Sequence, residues 1–152
     1  MTDNGDAMNT EVDPTHLLEA SARRPRRVLV VDDDATIRRV LTLNLEAEGY
    51  EVSVAGDGEE AKELARSVHP DVVILDVMMP LADGYSVLRA LRSSPQTNDI
   101  PVVLLSARAS DDEVFQGWQS GADSYVTKPF ELDEVMTLVD SMATTADDTL
   151  LS

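Results

Sequence analysis

Three aspartates, Asp32, Asp33 and Asp34, stand side by side in VLVVDDDATIRR, directly after an apolar run. Adjacent carboxylates repel one another, so a chain that keeps them together gains something from the arrangement. Taken alone, the run fits a nucleophile with its acid partner, a cage for a hard cation, or a solvated loop. Other polar residues also follow apolar runs. Asp76 closes DVVILD, Ser106 closes PVVLLS, and Lys128 follows SYVT. Carboxylates around a gap suit Mg²⁺, which accepts a few of them and keeps several waters. A cation beside a carboxylate nucleophile draws in a phosphoryl group, and an ammonium and a hydroxyl opposite can hold its remaining oxygens. Aspartate itself is an established phosphoryl acceptor.

For these residues to meet, the elements between them must bring the ends of the runs to one edge. RVLVVD and DVVILD are continuously apolar, as expected of strands covered on both sheet faces. YEVSVA, PVVLLSA and SYVT read as three further strands, with Pro101 at the tolerated first position of its strand. Between them lie helical patterns. ATIRRVLTLNLEAEG places Ile37, Val40, Leu41, Leu45 and Ala47 near helical spacing and stops at Gly49. DGEEAKELARSV, DGYSVLRALRSS and DDEVFQGWQSG follow, and ELDEVMTLVDSMA aligns Leu132, Val135, Met136, Val139 and Met142 on one face. Five strands alternating with five helices predict parallel βαβ units in a three-layer, doubly wound α/β fold. The carboxyl ends of the strands then share one edge, where ligand crevices form.

Residues 1–26 read as a polar, flexible arm, within which Asp13-Pro14 would start a short helix over THLLEASARR. Residues 27–142 read as the folded domain and 143–152 as a short polar tail. The net charge of −17 disfavours contact with nucleic acid or anionic membrane, because phosphate contacts need clustered Lys and Arg. The basic run RRPRR, Arg23 to Arg27, reads as a solvated linker. No apolar stretch approaches the roughly 20 residues of a membrane span. The amino terminus lacks a signal-peptide pattern, and there is no cysteine for disulfides or thiolate metal sites. A cytoplasmic location is the expectation.

VLVVDDDATIRR, DVVILDVMMPLADGY, PVVLLSARAS and GADSYVTKPF resemble the receiver domain of bacterial two-component response regulators, with every element in order. The intervals of 30 residues from Asp76 to Ser106 and 22 from Ser106 to Lys128 agree with that family. The resemblance implies a flavodoxin-like sheet of order 2-1-3-4-5. It implies that Asp76 accepts the phosphoryl group and that Asp33 ligates Mg²⁺, with Mn²⁺ as a substitute. Asp32 would act on the metal through water, and the Met78 backbone carbonyl would complete the protein ligands. Ser106 would bond a phosphoryl oxygen, Lys128 would pair with the phosphoryl group ahead of a cis Pro129, and Tyr125 would be the aromatic switch coupled to Ser106. The family more often has Thr at position 106; serine lacks the methyl, which loosens that coupling. The implied partners are a sensor histidine kinase or histidine phosphotransfer protein, a downstream protein target, and a second copy in a phosphorylation-dependent homodimer. Only a short stretch follows the last helix, so signalling by protein contact, without direct nucleic-acid binding, is expected.

A rival reading is a phosphatase of the haloacid-dehalogenase type. DDDAT fits its Asp-x-Asp-x-Thr start, with Asp32 as nucleophile and Asp34 as general acid. That reading lacks a later acidic pair at a strand end and leaves Asp76 unexplained. A receiver that docks without phosphorylation is a third reading, although all five site positions are present. Asp34 reads as a helix cap and Gly84 as a turn before the third helix. Met78 and Met79 read as backbone use plus core packing, and Phe115 and Trp118 as packing or an exposed partner face.

Overall fold

The computed structural model describes residues 25–79, 83–107 and 111–151. The predicted helix after Asp13 lies outside them. The described strands are β1 (Arg27–Val31), β2 (Glu51–Ala55), β3 (Val72–Asp76), β4 (Val102–Ser106) and β5 (Ser124–Thr127). The helices are α1 (Ala35–Ala47), α2 (Gly58–Val68), α3 (Gly84–Ser93), α4 (Asp111–Gln119) and α5 (Leu132–Leu151). All strand pairs are parallel, in the order β2-β1-β3-β4-β5, as expected.

Side-chain alternation along the strands divides the core in two. Leu29, Val31, Val73, Leu75 and Leu104 face α2 and α3, where Ala61, Ala65, Leu88 and Leu91 complete one cluster. Val28, Val30, Ile74, Val103 and Leu105 face α1 and α5 and meet Leu41, Leu45, Val135 and Val139. β3 and β4 are buried along their whole length. β2 is an edge strand, which explains its weaker pattern: Glu51 and Val54 are exposed.

The helix ends follow local chemistry. The Asp34 carboxylate accepts from the Thr36 and Ile37 amides, Asp57 from Glu60, and Asp83 from Ser86. Gly49 and Gly121 carry φ of 95° and 100° after α1 and α4, where residues with a Cβ are strained. Of the apolar residues at helical spacing on α1, Leu41 and Leu45 are fully buried, whereas Val40 and Ala47 are exposed. One expectation is corrected: α5 continues to Leu151 through the stretch read as a tail, which contains no Pro or Gly to stop it. Opposite α5, the Tyr50 hydroxyl at the head of β2 donates to the Asp140 carboxylate. Burial first, then that carboxylate, pushes the Tyr50 phenol above its usual range.

Candidate functional site

The sheet reverses its winding between β1 and β3, and a crevice opens there beyond the carboxyl ends of the strands. Asp32 follows the last residue of β1, Asp76 ends β3, Ser106 ends β4, and Lys128 follows the last residue of β5. One carboxylate oxygen from each of Asp32, Asp33 and Asp76 lies within 4.8 Å of the others. Asp32 and Asp76 are buried, whereas Asp33 is open to solvent.

Lys128 ties the buried pair together. Its Nζ lies 2.9 Å from Asp32 Oδ2 and 3.2 Å from Asp76 Oδ1. The Lys128 amide donates to the Ser106 carbonyl at 2.6 Å, which fixes the loop after β5 against β4. The Lys128–Pro129 peptide is cis, as the resemblance implies. Burial and repulsion from Asp32 push the Asp76 carboxyl up to about 6, against the opposing pull of Lys128. Burial would lower the Lys128 ammonium, but its bonds to Asp32 and Asp76 outweigh that and raise it.

The backbone around the carboxylates is held from several sides. The Asp34 amide donates to Asp32 Oδ1 at 2.9 Å, and the Met78 amide to Asp76 Oδ1 at 3.3 Å. Arg38 Nη1 donates to the Asp32 carbonyl at 2.7 Å. That contact was not read from the sequence, although Arg38 lies one helical turn beyond the Asp34 cap. Gly84 is a second omission. Its amide donates to the Val77 carbonyl at 2.7 Å, and a Cβ built on it would sit 2.4 Å from the Asp76 carbonyl oxygen and 2.8 Å from Val77 Cα. It is a close-approach glycine, beyond a turn residue.

Tyr125 is half-buried against the cluster containing Leu104. Its ring abuts α4 at Gly117, where a Cβ would meet Tyr125 Cδ2 at 3.0 Å. Met79 is buried, but the Met78 side chain is exposed and does not pack in the core. Phe115 and Trp118 are exposed as well. The Asp34 carboxylate is occupied as the α1 cap, so it is not set as the general acid of a phosphatase, and that reading leaves Asp76, which shares Lys128 with Asp32, without a role.

The family description that matches the chain is the response regulator receiver domain, over residues 28–140. RpaA of Synechocystis sp., described as a DNA-binding dual master transcriptional regulator, is 40% identical over 121 residues, covering 80% of this chain and 50% of that protein. The response regulator MprA of Mycolicibacterium vanbaalenii is 46% identical over 126 residues, covering 82% of this chain and 54% of its own. The chain thus spans about half the length of these relatives. Among solved structures, the receiver domain of Francisella response regulator 1452 superposes with a TM-score of 0.74 at 39% identity, covering 80% of this chain and 98% of that one. The chemotaxis protein CheY4 of Vibrio cholerae gives 0.75 at 32% identity, over 78% and 99%.

The chain belongs to the receiver family of response regulators. It is a signalling receiver of two-component systems, whose members take histidine kinases as partners and generally bind Mg²⁺. The three clustered carboxylates fit such an ion in number and in charge. Among the described residues, no helix is long and apolar enough to cross a membrane.

Proposed function

We propose that Asp76 is the phosphoacceptor, and that the chain is a switch charged by phosphohistidine of a partner kinase or phosphotransfer protein in the cytoplasm. The observation that carries this is the Lys128 bridge. One ammonium spans two buried carboxylates, of which only Asp76 is itself the last residue of a strand, β3, next to the strand that Ser106 ends. Asp33, Asp76 and the Met78 carbonyl would hold Mg²⁺, with Asp32 reaching it through water. When bound, the ion neutralises charge that develops on the phosphoryl oxygens.

The chain's own groups do the rest. An Asp76 carboxylate oxygen attacks phosphorus in line; the P–N bond breaks, and its electron pair leaves with the donor imidazole. Lys128 turns from Asp76 to the phosphoryl oxygens that replace its charge. The Ser106 hydroxyl, buried beside it, donates to another of those oxygens. Water attack at phosphorus later frees phosphate and regenerates Asp76. Movement of Ser106 toward the phosphoryl group leaves space for Tyr125 to turn inward, which biases the α4–β5–α5 face read by a downstream protein or a second copy. Kinase docking would use α1 and the loop after Lys128.

Phosphotransfer profiling tests this reading. The chain is mixed with purified, autophosphorylated histidine kinases, with Asp76→Asn as control. Rapid transfer from one kinase, abolished in the variant, is expected. Undiminished transfer to the variant would refute it.

A further inference from the structure

We propose that residues 13–20 of the amino-terminal segment dock in the cleft between α1 and the edge strand β2. α1 has an apolar stripe that the fold buries and a second, mixed stripe that it leaves open. Ile37, Leu41 and Leu45 enter the core. Ala35, Arg38, Arg39, Thr42 and Leu43 recur at helical spacing on a second stripe and, with Val54 of β2, line a cleft of about 440 Å³. Leu43 is 58% exposed, and Val54 and neighbouring Val40 are each 41% exposed. A second cleft of about 400 Å³ lies on the same edge and is lined by Pro25, Glu46, Gly49, Tyr50 and Val52. It begins where the chain enters the fold. Val52 and Glu46 border the lower cleft, Val54 and Leu43 the upper one, so the two follow each other along α1 and β2.

The segment before Pro25 has the reach and the chemistry. Leu18 is seven residues from Pro25, up to about 25 Å of extended chain. β2 spans only about 13 Å from Glu51 to Ala55. Residues 1–22 contain five acidic residues and no Lys or Arg, and they include the adjacent pair Leu17 and Leu18. The cleft offers the complement: an apolar floor and two arginines in a chain of net charge −17. Arg38 spends one N–H on the Asp32 carbonyl, and Arg39 has no hydrogen bond or ion pair among the described residues. The other exposed apolar pair, Phe115 and Trp118, sits on a helix that opens with Asp111, Asp112 and Glu113 and so repels an acidic segment. In the docked state the leucines cover Leu43 and Val54, and Asp13 and Glu19 lie at the arginine rim.

The absence of native cysteine allows a direct test. Thr15→Cys in the full chain carries a nitroxide, and amide intensities are compared with the label oxidised and reduced. Selective loss of intensity over residues 39–43 and 53–55 is expected. Adding Leu17→Asp and Leu18→Asp in the segment, or Arg39→Glu on α1, should restore most of it. Intensity loss centred on residues 115–119, or no loss along the cleft, would overturn the proposal. So would loss seen in full only between molecules, in a mixture of isotope-labelled and spin-labelled protein, since the occupant would then be a second copy.

Discussion

Asp76 is 2% exposed, with the carboxylates of Asp32 and Asp33 and the Lys128 ammonium within reach. Its raised pKa has a sign that can be checked. A carboxyl raised from its ordinary 3.8 to about 6 favours the fold when protonated, so its contribution is fully present below about pH 4 and is lost as pH rises through about 6. Asp76→Asn should therefore stabilise the metal-free protein at pH 7.5, by on the order of 1–3 kcal/mol, and much less near pH 4. Chemical denaturation in EDTA at both values measures this; an equal gain at both would contradict it. The aspartate run makes a second prediction. Replacing Asp32 or Asp33 with Asn should weaken Mg²⁺ binding about tenfold or more, and Asp34→Asn much less. Calorimetric titration separates the three, because Asp34 is committed to the α1 cap. Read alone, the run fitted a nucleophile and a cation cage equally. Asp76 resolved it, because a second strand end supplied the carboxylate that Lys128 also holds. Arg38 was not legible: its role is a bond to a backbone carbonyl, which leaves no residue-type pattern.

At the scale of elements, the strands were readable because both sheet faces are covered, which enforces continuous apolar runs. Helix α1 was read only in part. Its periodicity includes both the core stripe and the stripe toward β2, and spacing alone does not say which one is buried. The extent of α5 was missed because polar composition resembles a tail, while nothing in residues 143–151 breaks a helix. Gly84 joins α3 to the β3 end. By helix propensity alone, Gly84→Ala should stabilise by up to about 1 kcal/mol. The approach to Asp76 and Val77 backbone reverses that sign. A loss on the order of 1–3 kcal/mol in denaturation is expected, together with weaker Mg²⁺ binding, because the Asp76–Met78 backbone must move. A stabilised variant with unchanged metal affinity would show that α3 does not position the site.

Across the whole molecule, one sheet edge gathers residues from four strands, and the opposite faces carry two separate cores. The site thus rests on rigid elements, while the surface of α4 leaves Phe115 and Trp118 61% and 50% exposed. Single alanine substitutions there should change stability by roughly 0.5 kcal/mol or less. They should weaken self-association or target binding by the phosphorylated form, which sedimentation with beryllofluoride and Mg²⁺ would register; a large loss of stability would instead mean that the two rings pack inside. The parallel three-layer class followed from the alternation of runs and the strand order from the family resemblance, but the path of residues 1–24 followed from neither, because a polar segment carries no register of its own. The account as a whole stands on the identity of the acceptor. Treatment with acetyl phosphate and Mg²⁺, followed by borohydride reduction and peptide mass spectrometry, reads it directly. The account predicts a single reduced aspartate at position 76 and none in Asp76→Asn, whereas labelling at Asp32, or persistence in the variant, would contradict it.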